Sequence, residues 1–298
     1  MKFQGILPAI VTPLDSKERF HEQAFSQLCE RFYAAGVDGL YVCGQTGEGP
    51  DLPSSERKRA AETALRVSPA GKTVIVHVGA RSLRQSVDLA RHAEKTGAHA
   101  ISSLPPGARY SFEETRNYYR ELAASVHIPV LIYYFPALAP NLTHIDQILE
   151  LAALPNVIGL KFTDSDMFKL WDLVRHGATV FMGSDEMLSA GLLMGAHGGI
   201  GGTYNVMPPL FVEMYAHARA GRWKQAKNVQ DIVNPIVDAI LRSPPLGAIK
   251  QMLEWSGIKA GLPVAPRRGL SAEEQAALAD RLRSLPWIGK HSGLVLPG

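Results

Sequence analysis

The sequence predicts an α/β protein, a closed (β/α)8 barrel with a C-terminal helical extension. Three observations carry that reading. Eight short apolar runs rich in β-branched residues alternate with longer stretches of helical periodicity. Several runs are apolar almost throughout, as in Val74, Ile75, Val76 and Val78, which is how a strand covered on both faces reads. The 298 residues hold eight such units with a surplus at the C-terminus, as TIM barrels do. An open, doubly wound sheet is the competitor. It ordinarily carries a glycine fingerprint after its first strand, where this chain has Thr12-Pro13-Leu14-Asp15.

Strands are expected over residues 6–11, 39–42, 73–78, 100–103, 130–134, 157–161, 179–182 and 199–203. Helices are expected between them, over 22–35, 54–67, 82–96, 112–126, 143–153, 165–175 and 186–196. Gly36, Gly71, Gly97, Pro129, Pro155, Gly177 and Gly198 mark the joints, since neither residue type continues an element comfortably. A helix at about 210–220 completes a barrel over residues 1–220. Residues 221–298 read as an extension packed on it in one compact unit, with helices over 223–241, 245–256 and 272–282. The last has the clearest start: Ser271 can cap it, and Glu274 follows at capping-box spacing.

Composition narrows the function. With 46% hydrophobic and 20% charged residues, the chain is globular rather than disordered. Its 31 basic and 28 acidic residues give a net charge of +3, with no concentrated basic patch for nucleic acid. Interspersed charges such as Glu56-Arg57-Lys58-Arg59 read as a solvated helix face. Cys29 and Cys43 form neither a disulfide framework nor a zinc site and read as buried thiols in a reducing compartment. No stretch of about 18 apolar residues spans a bilayer, and Met1–Gly5 begins no secretory signal, so a soluble cytoplasmic protein is expected. The ten histidines show no HxH or HExxH spacing, so no metal is expected. His77, within an apolar strand, reads as a hydrogen-bonded barrel residue. Trp171, Met187 and Met194 fit core-facing helical stripes.

In such a barrel, chemistry gathers at the C-terminal ends of the strands. After the second strand, Gly44-Gln45-Thr46-Gly47-Glu48-Gly49 leaves backbone N–H groups accessible, which suits a carboxylate or phosphate as well as it suits a plain turn. It lacks the GxxxxGK[ST] pattern of nucleotide loops. The fifth strand carries Tyr133-Tyr134, of which alternation lets only one point inward; an inward Tyr133 could carry protons near the axis, although strand aromatics are usually core. The sixth reads Val157-Ile158-Gly159-Leu160-Lys161. Sharing parity with Val157 and Gly159, Lys161 should point inward, where desolvation disfavours the ammonium form. A neutral amine can attack a carbonyl and form a Schiff base; a structural ion pair is the equal alternative. Asp185 and Glu186 after the seventh strand serve equally well as helix caps. The glycines of Gly198–Asn205 read as close packing, because no basic residue stands near them to hold a phosphate.

In their order, Gly39-Leu40-Tyr41-Val42-x-Gly44-x-Thr46-Gly47-Glu48, His77-Val78-Gly79, Tyr133-x-x-Pro136, Gly159-Leu160-Lys161-x-Thr163 and Gly198–Asn205 resemble one family. It is the pyruvate-dependent class I aldolases typified by N-acetylneuraminate lyase and dihydrodipicolinate synthase, and the likeness spans residues 5–205, more weakly beyond. The resemblance implies that Lys161 forms the Schiff base, that Tyr133 transfers the proton, and that the Gly44–Gly47 turn holds the pyruvate carboxylate. Thr46 would link that turn to Tyr133. Leu138 stands where the synthase branch has an arginine, whereas Thr163 and Asp185-Glu186 match the lyase branch. The implied substrate contacts are Gly44, Gln45, Gly47, Thr163, Gly183, Asp185, Glu186 and Gly202. Gln45, Gly202, Gly107-Ala108 and Pro140 depart from the pattern, replacing a small hydroxyl residue, a serine, a tyrosine pair and a glycine. The implied activity is reversible cleavage of a 2-keto acid, sialic or a related sugar acid, to pyruvate and an aldehyde. The implied assembly is a homotetramer, a dimer of dimers. No cofactor is implied, because the iminium serves as the electron sink. A synthase-like condensation and a non-catalytic ligand-binding barrel are the alternatives.

Overall fold

A computed structural model describes residues 3–107, 110–142, 144–286 and 294–297. Its eight strands are β1 (Gly5–Pro8), β2 (Gly39–Val42), β3 (Thr73–His77), β4 (Ala100–Ser103), β5 (Val130–Tyr134), β6 (Val157–Phe162), β7 (Thr179–Met182) and β8 (Gly198–Gly201). All pair in parallel in the order β1-β8-β7-β6-β5-β4-β3-β2. The remaining seam is drawn together just past β1, where Ala9 bridges Tyr41 and the Ile10 N–H donates to the Tyr41 carbonyl at 3.1 Å. The helices α1 (Glu22–Ala34), α2 (Ser54–Val67), α3 (Leu83–Lys95), α4 (Phe112–Ala124), α5 (Ile145–Ala152), α6 (Met167–Arg175), α7 (Leu188–Leu193) and α8 (Pro208–Arg219) follow the strands in turn. This is the predicted (β/α)8 barrel. Beyond it lie α9 (Trp223–Leu241), α10 (Pro245–Trp255) and α11 (Ala272–Arg283), the first packed along α8. The capping box read at Ser271 and Glu274 is present. None of the described helices is long and apolar enough to cross a membrane.

Two clusters of side chains explain the strand patterns. Leu7, Ala9, Tyr41, Ile75, Ala100, Leu131, Phe181 and Ile200 fill the barrel interior. A larger outer cluster sits between strands and helices and takes the alternate residues, such as Leu40, Val42, Ile132 and Tyr134. Cys29 and Cys43 are buried and unpaired.

The structure differs from expectation in several places. The first strand stops at Pro8 rather than residue 11, because the side-chain amide of Asn205 takes over the ladder: its Oδ1 accepts from the Val11 N–H and its Nδ2 donates to the Ala9 carbonyl. The eighth stops at Gly201, and Thr203–Asn205 forms a 3-10 turn. Another such turn, Asp185–Met187, precedes α7, which ends at Leu193. Thr143, the expected start of the fifth helix, lies outside the described residues, as does Ala108. The charged run at residues 56–59 is not wholly a solvated face. Arg57 is 2% exposed, its guanidinium donating to the His77 and Gly79 carbonyls at 2.8 and 3.0 Å and so tying α2 to the end of β3. Trp171 is 41% exposed and stacks on Phe168 rather than entering the core.

The inward parity of Lys161 has a different origin from the one counted in sequence. Val130 pairs with Val157 but Leu131 pairs with Gly159, so Ile158 is an extra residue in a β-bulge. Val157 therefore faces the outer cluster, Ile158 packs against the interior one, and Gly159 and Lys161 continue inward. Gly159 is required there, because a Cβ would overlap the Thr179 carbonyl on β7.

Candidate active site

Lys161 lies one residue before the end of β6, beside Tyr133, its register partner on β5. The lysine is 4% exposed, and its Nζ lies 4.2 Å from the Tyr133 ring centroid and 4.8 Å from that of Tyr41. No hydrogen bond to a described residue holds that nitrogen, so the structural ion pair considered for it is not formed. Burial lowers its pKa to about 7, against the raising influence of the Asp185 carboxylate. A large fraction of the amine is therefore neutral near neutrality, and the two ring faces leave Nζ directed by packing alone.

Tyr133 is the inward member of its pair. Tyr134 points outward, its phenol bonded to Lys169 Nζ and Asp164. Burial pushes the Tyr133 phenol well above its ordinary pKa, so it stays protonated. Thr163 lies near it and opposes that shift, yet the Thr163 Oγ1 is buried without a hydrogen bond of normal geometry. Room for that hydroxyl depends on Gly183, where a Cβ would strike it.

Asp185 is 6% exposed at the end of β7, and its Oδ2 accepts from the Thr203 N–H and Oγ1 at 2.7 and 2.6 Å. Burial raises its pKa to about 6. Its Oδ1 has no hydrogen-bond partner among the described residues, leaving a buried acceptor available. Glu186 is exposed and lines a cleft of about 620 Å³ between α7 and α9, so the two acids separate.

The turn after β2 presents donors. Gly49 and Glu48 close it through N–H bonds to the Gly44 and Gln45 carbonyls, and the Thr12 hydroxyl holds the Gly47 carbonyl at 2.6 Å. The N–H groups of Gln45, Thr46 and Gly47 make no hydrogen bond to any described residue. Gly47 permits the close approach of the chain, since a Cβ would come within 2.8 Å of the Ile10 carbonyl. Thr46 adjoins Gly202, and no hydrogen bond joins it to Tyr133. Gln45 and Thr46 face α10 across a cleft of about 540 Å³.

Several residues of the site were not singled out from sequence. Tyr41 is fully buried, anchored by its phenol to Ser102 Oγ at 3.0 Å, and covers one side of Lys161. Counting parity along β2 would have found it. Asn205 also bonds the Gly202 carbonyl, knitting the ends of β1 and β8, and Thr203 fixes Asp185. Neither role has a spacing signature. His77 is 1% exposed and accepts from the Leu104 N–H at 3.0 Å, with its pKa pushed well down by burial and by Arg57 and Lys161. It is thus a neutral, hydrogen-bonded barrel residue, as read.

Comparison with known proteins identifies the family. The family model described as the dihydrodipicolinate synthetase family matches residues 2–285. The chain is 36% identical over 285 residues to N-acetylneuraminate lyase of Rhizobium meliloti (strain 1021), covering 94% of each chain. It is 33% identical to N-acetylneuraminate lyase 2 of Escherichia coli O6:H1, over 94% of this chain and 95% of that one. Among solved structures, it superposes on the Clostridium difficile protein CdNal, crystallised with mannosamine, with a TM-score of 0.91 and 29% identity over 96% of this chain and 100% of that one. The Ruminococcus gnavus sialic acid aldolase gives 0.90 and 28% over 94% and 96%. With its model matched nearly end to end and its relatives aligned over almost their whole length, the chain belongs to the dihydrodipicolinate synthetase family.

Proposed function

We propose that the protein is a class I aldolase that forms a Schiff base through Lys161 and reversibly cleaves a 2-keto sugar acid of the sialic type to pyruvate and an aldehyde. The observation that carries this reading is a buried lysine with a pKa near 7, set against the phenol of Tyr133 at the mouth of the barrel. Neutral Lys161 attacks the 2-keto carbon, and loss of water gives an iminium. The C4 hydroxyl surrenders its proton to Tyr133, the C3–C4 bond breaks, and its electrons enter the iminium to leave an enamine. The aldehyde departs, the enamine is protonated at C3, and water releases pyruvate. The Gly44–Gly47 turn takes the carboxylate through the uncommitted N–H groups of Gln45, Thr46 and Gly47. Because Tyr133 is a neutral phenol, it accepts that proton only as it passes its own onward. Thr46 serves that relay once substrate draws the groups together, as catalytic hydrogen bonds often tighten only in the complex.

Asp185, with its free Oδ1, and Thr163 are assigned to the hydroxylated part of the substrate, with Gly183 and Gly202 leaving space for it. Glu186, at the surface, meets only the far end of a long substrate. Leu138, 42% exposed, offers no charge for the second carboxylate of a synthase substrate. The two unpaired buried thiols suit the reducing cytoplasm. The test is pyruvate release from N-acetylneuraminate compared with release from 2-keto-3-deoxy sugar acids lacking the acetamido group. Pyruvate from either supports the aldolase reading and the comparison assigns the substrate; pyruvate from none of them contradicts it.

A further inference from the structure

The turn ends in Glu48, whose side chain enters the protein instead of solvent. Glu48 is 0% exposed and has a φ of 55°, in the left-handed region that is uncommon for residues other than glycine. Its Oε1 lies 2.6 Å from the Nζ of Lys250 on α10, which is 1% exposed. One further segment of chain bonds to both partners: the Val264 N–H donates to Glu48 Oε2 at 2.6 Å, and Lys250 Nζ donates to the Leu262 carbonyl at 3.0 Å, while Glu48 Oε1 meets Lys250 as an ion contact without hydrogen-bond geometry. Glu48 also closes the turn through its own N–H to the Gln45 carbonyl at 3.1 Å. The pair therefore joins the turn, α10 and the strap after α10 at one point.

A buried ion pair is a poor adhesive. Each charge gives up its hydration, and apolar side chains of the same volume often hold two segments equally well. What the pair adds is mutual dependence, since removing either charge strands the other in a buried place, so the two segments are held to each other only while both are present. The Lys250 charge is matched by Glu48, so the pair contributes geometry rather than net attraction for an anion. That geometry reaches the site directly, because Gln45 and Thr46 form one wall of the cleft whose other wall includes Gly247 and Ile249, the near neighbours of Lys250.

We propose that Glu48 and Lys250 are positioning residues that hold the turn so that the N–H groups of Gln45, Thr46 and Gly47 converge on the substrate carboxylate. This rests on the aldolase reading above and adds to it a dependence on the C-terminal extension. The test compares borohydride trapping of pyruvate with trapping of its neutral amide, pyruvamide, in the wild type and in Glu48→Gln/Lys250→Met, which removes both charges together. The double variant should need at least tenfold more pyruvate for half-saturation while its response to pyruvamide stays within threefold. Equal losses for both ligands, or none for either, overturn the proposal and leave the pair a purely structural tie. A wild type that traps pyruvate while the variant keeps its full preference for the acid rejects only this inference. A wild type that traps neither ligand rejects the aldolase reading, and this one with it. Should the double variant not fold, Glu48→Asp keeps the charge but withdraws the carboxylate by one methylene. It should lower the preference for pyruvate over pyruvamide by threefold or more, and an unchanged preference overturns the proposal.

Discussion

Lys161 sits between two tyrosine rings with no hydrogen bond to its amine from any described residue, so its protonation answers mainly to burial and to one nearby carboxylate. Only the neutral amine attacks, so capture of a keto acid should rise with pH, bend near pH 7 and level off above it. The charge on Asp185 favours the ammonium form. Asp185→Asn removes it and should move the bend toward acid by up to about one unit, read from kcat/KM against pH. A bend that moves toward alkali would show that Asp185 acts on the lysine in some other way. Tyr133 has a separate signature: Tyr133→Phe keeps the ring beside Nζ and removes the proton carrier, so cleavage should slow by roughly a hundredfold or more while imine formation persists. Lys161 stood out in the sequence as a lysine in an otherwise apolar strand, but the strand alone left an ion pair equally open, and the roles of Lys161 and Tyr133 came from the family resemblance. Thr203 and Asn205 were not legible there, since their roles exist only once β1, β7 and β8 come together, whereas parity along β2 would have found Tyr41.

At the scale of elements, alternation located the eight strands and most of the helices, because side-chain period reports directly which faces are covered. It could not reveal the bulge at Ile158, where the parity counted from Val157 breaks and yet Lys161 still arrives inside. Gly159 supports that bulge. Gly159→Ala would press a methyl into the Thr179 carbonyl and should cost about 1–3 kcal/mol, seen as a fall of several degrees in Tm. Because Lys161 lies two residues on, imine formation should weaken as well. An alanine tolerated without loss of either would remove the bulge from the account. The Glu48–Lys250 contact was likewise hidden, because two lone charges far apart in sequence carry no periodic signal. Arg57 was misread for a related reason: its neighbours in sequence are charged, while its partners are carbonyls at the end of another strand.

For the whole molecule, one group of exposed apolar residues lies on the neighbouring helices α6 and α7. Phe168 and Trp171 of α6 stack on each other at 75% and 41% exposure, and Leu193 on the neighbouring α7 is 55% exposed. A face of that kind commonly marks an interface. The homotetramer that the resemblance implies makes this face a contact between copies to be tested. Light scattering should find a species of several chains, and Phe168→Asp with Leu193→Asp should reduce its mass while circular dichroism stays unchanged. A wild type that is monomeric at micromolar concentration would reject that assembly. The central claim, that one amine in the barrel captures a keto acid covalently, is tested most directly by reducing the protein with borohydride in the presence of pyruvate and mapping the adduct by mass spectrometry. The account predicts one stable adduct on the peptide that contains Lys161, lost in Lys161→Arg. An adduct confined to other lysines, or a folded protein that gains none, would contradict it.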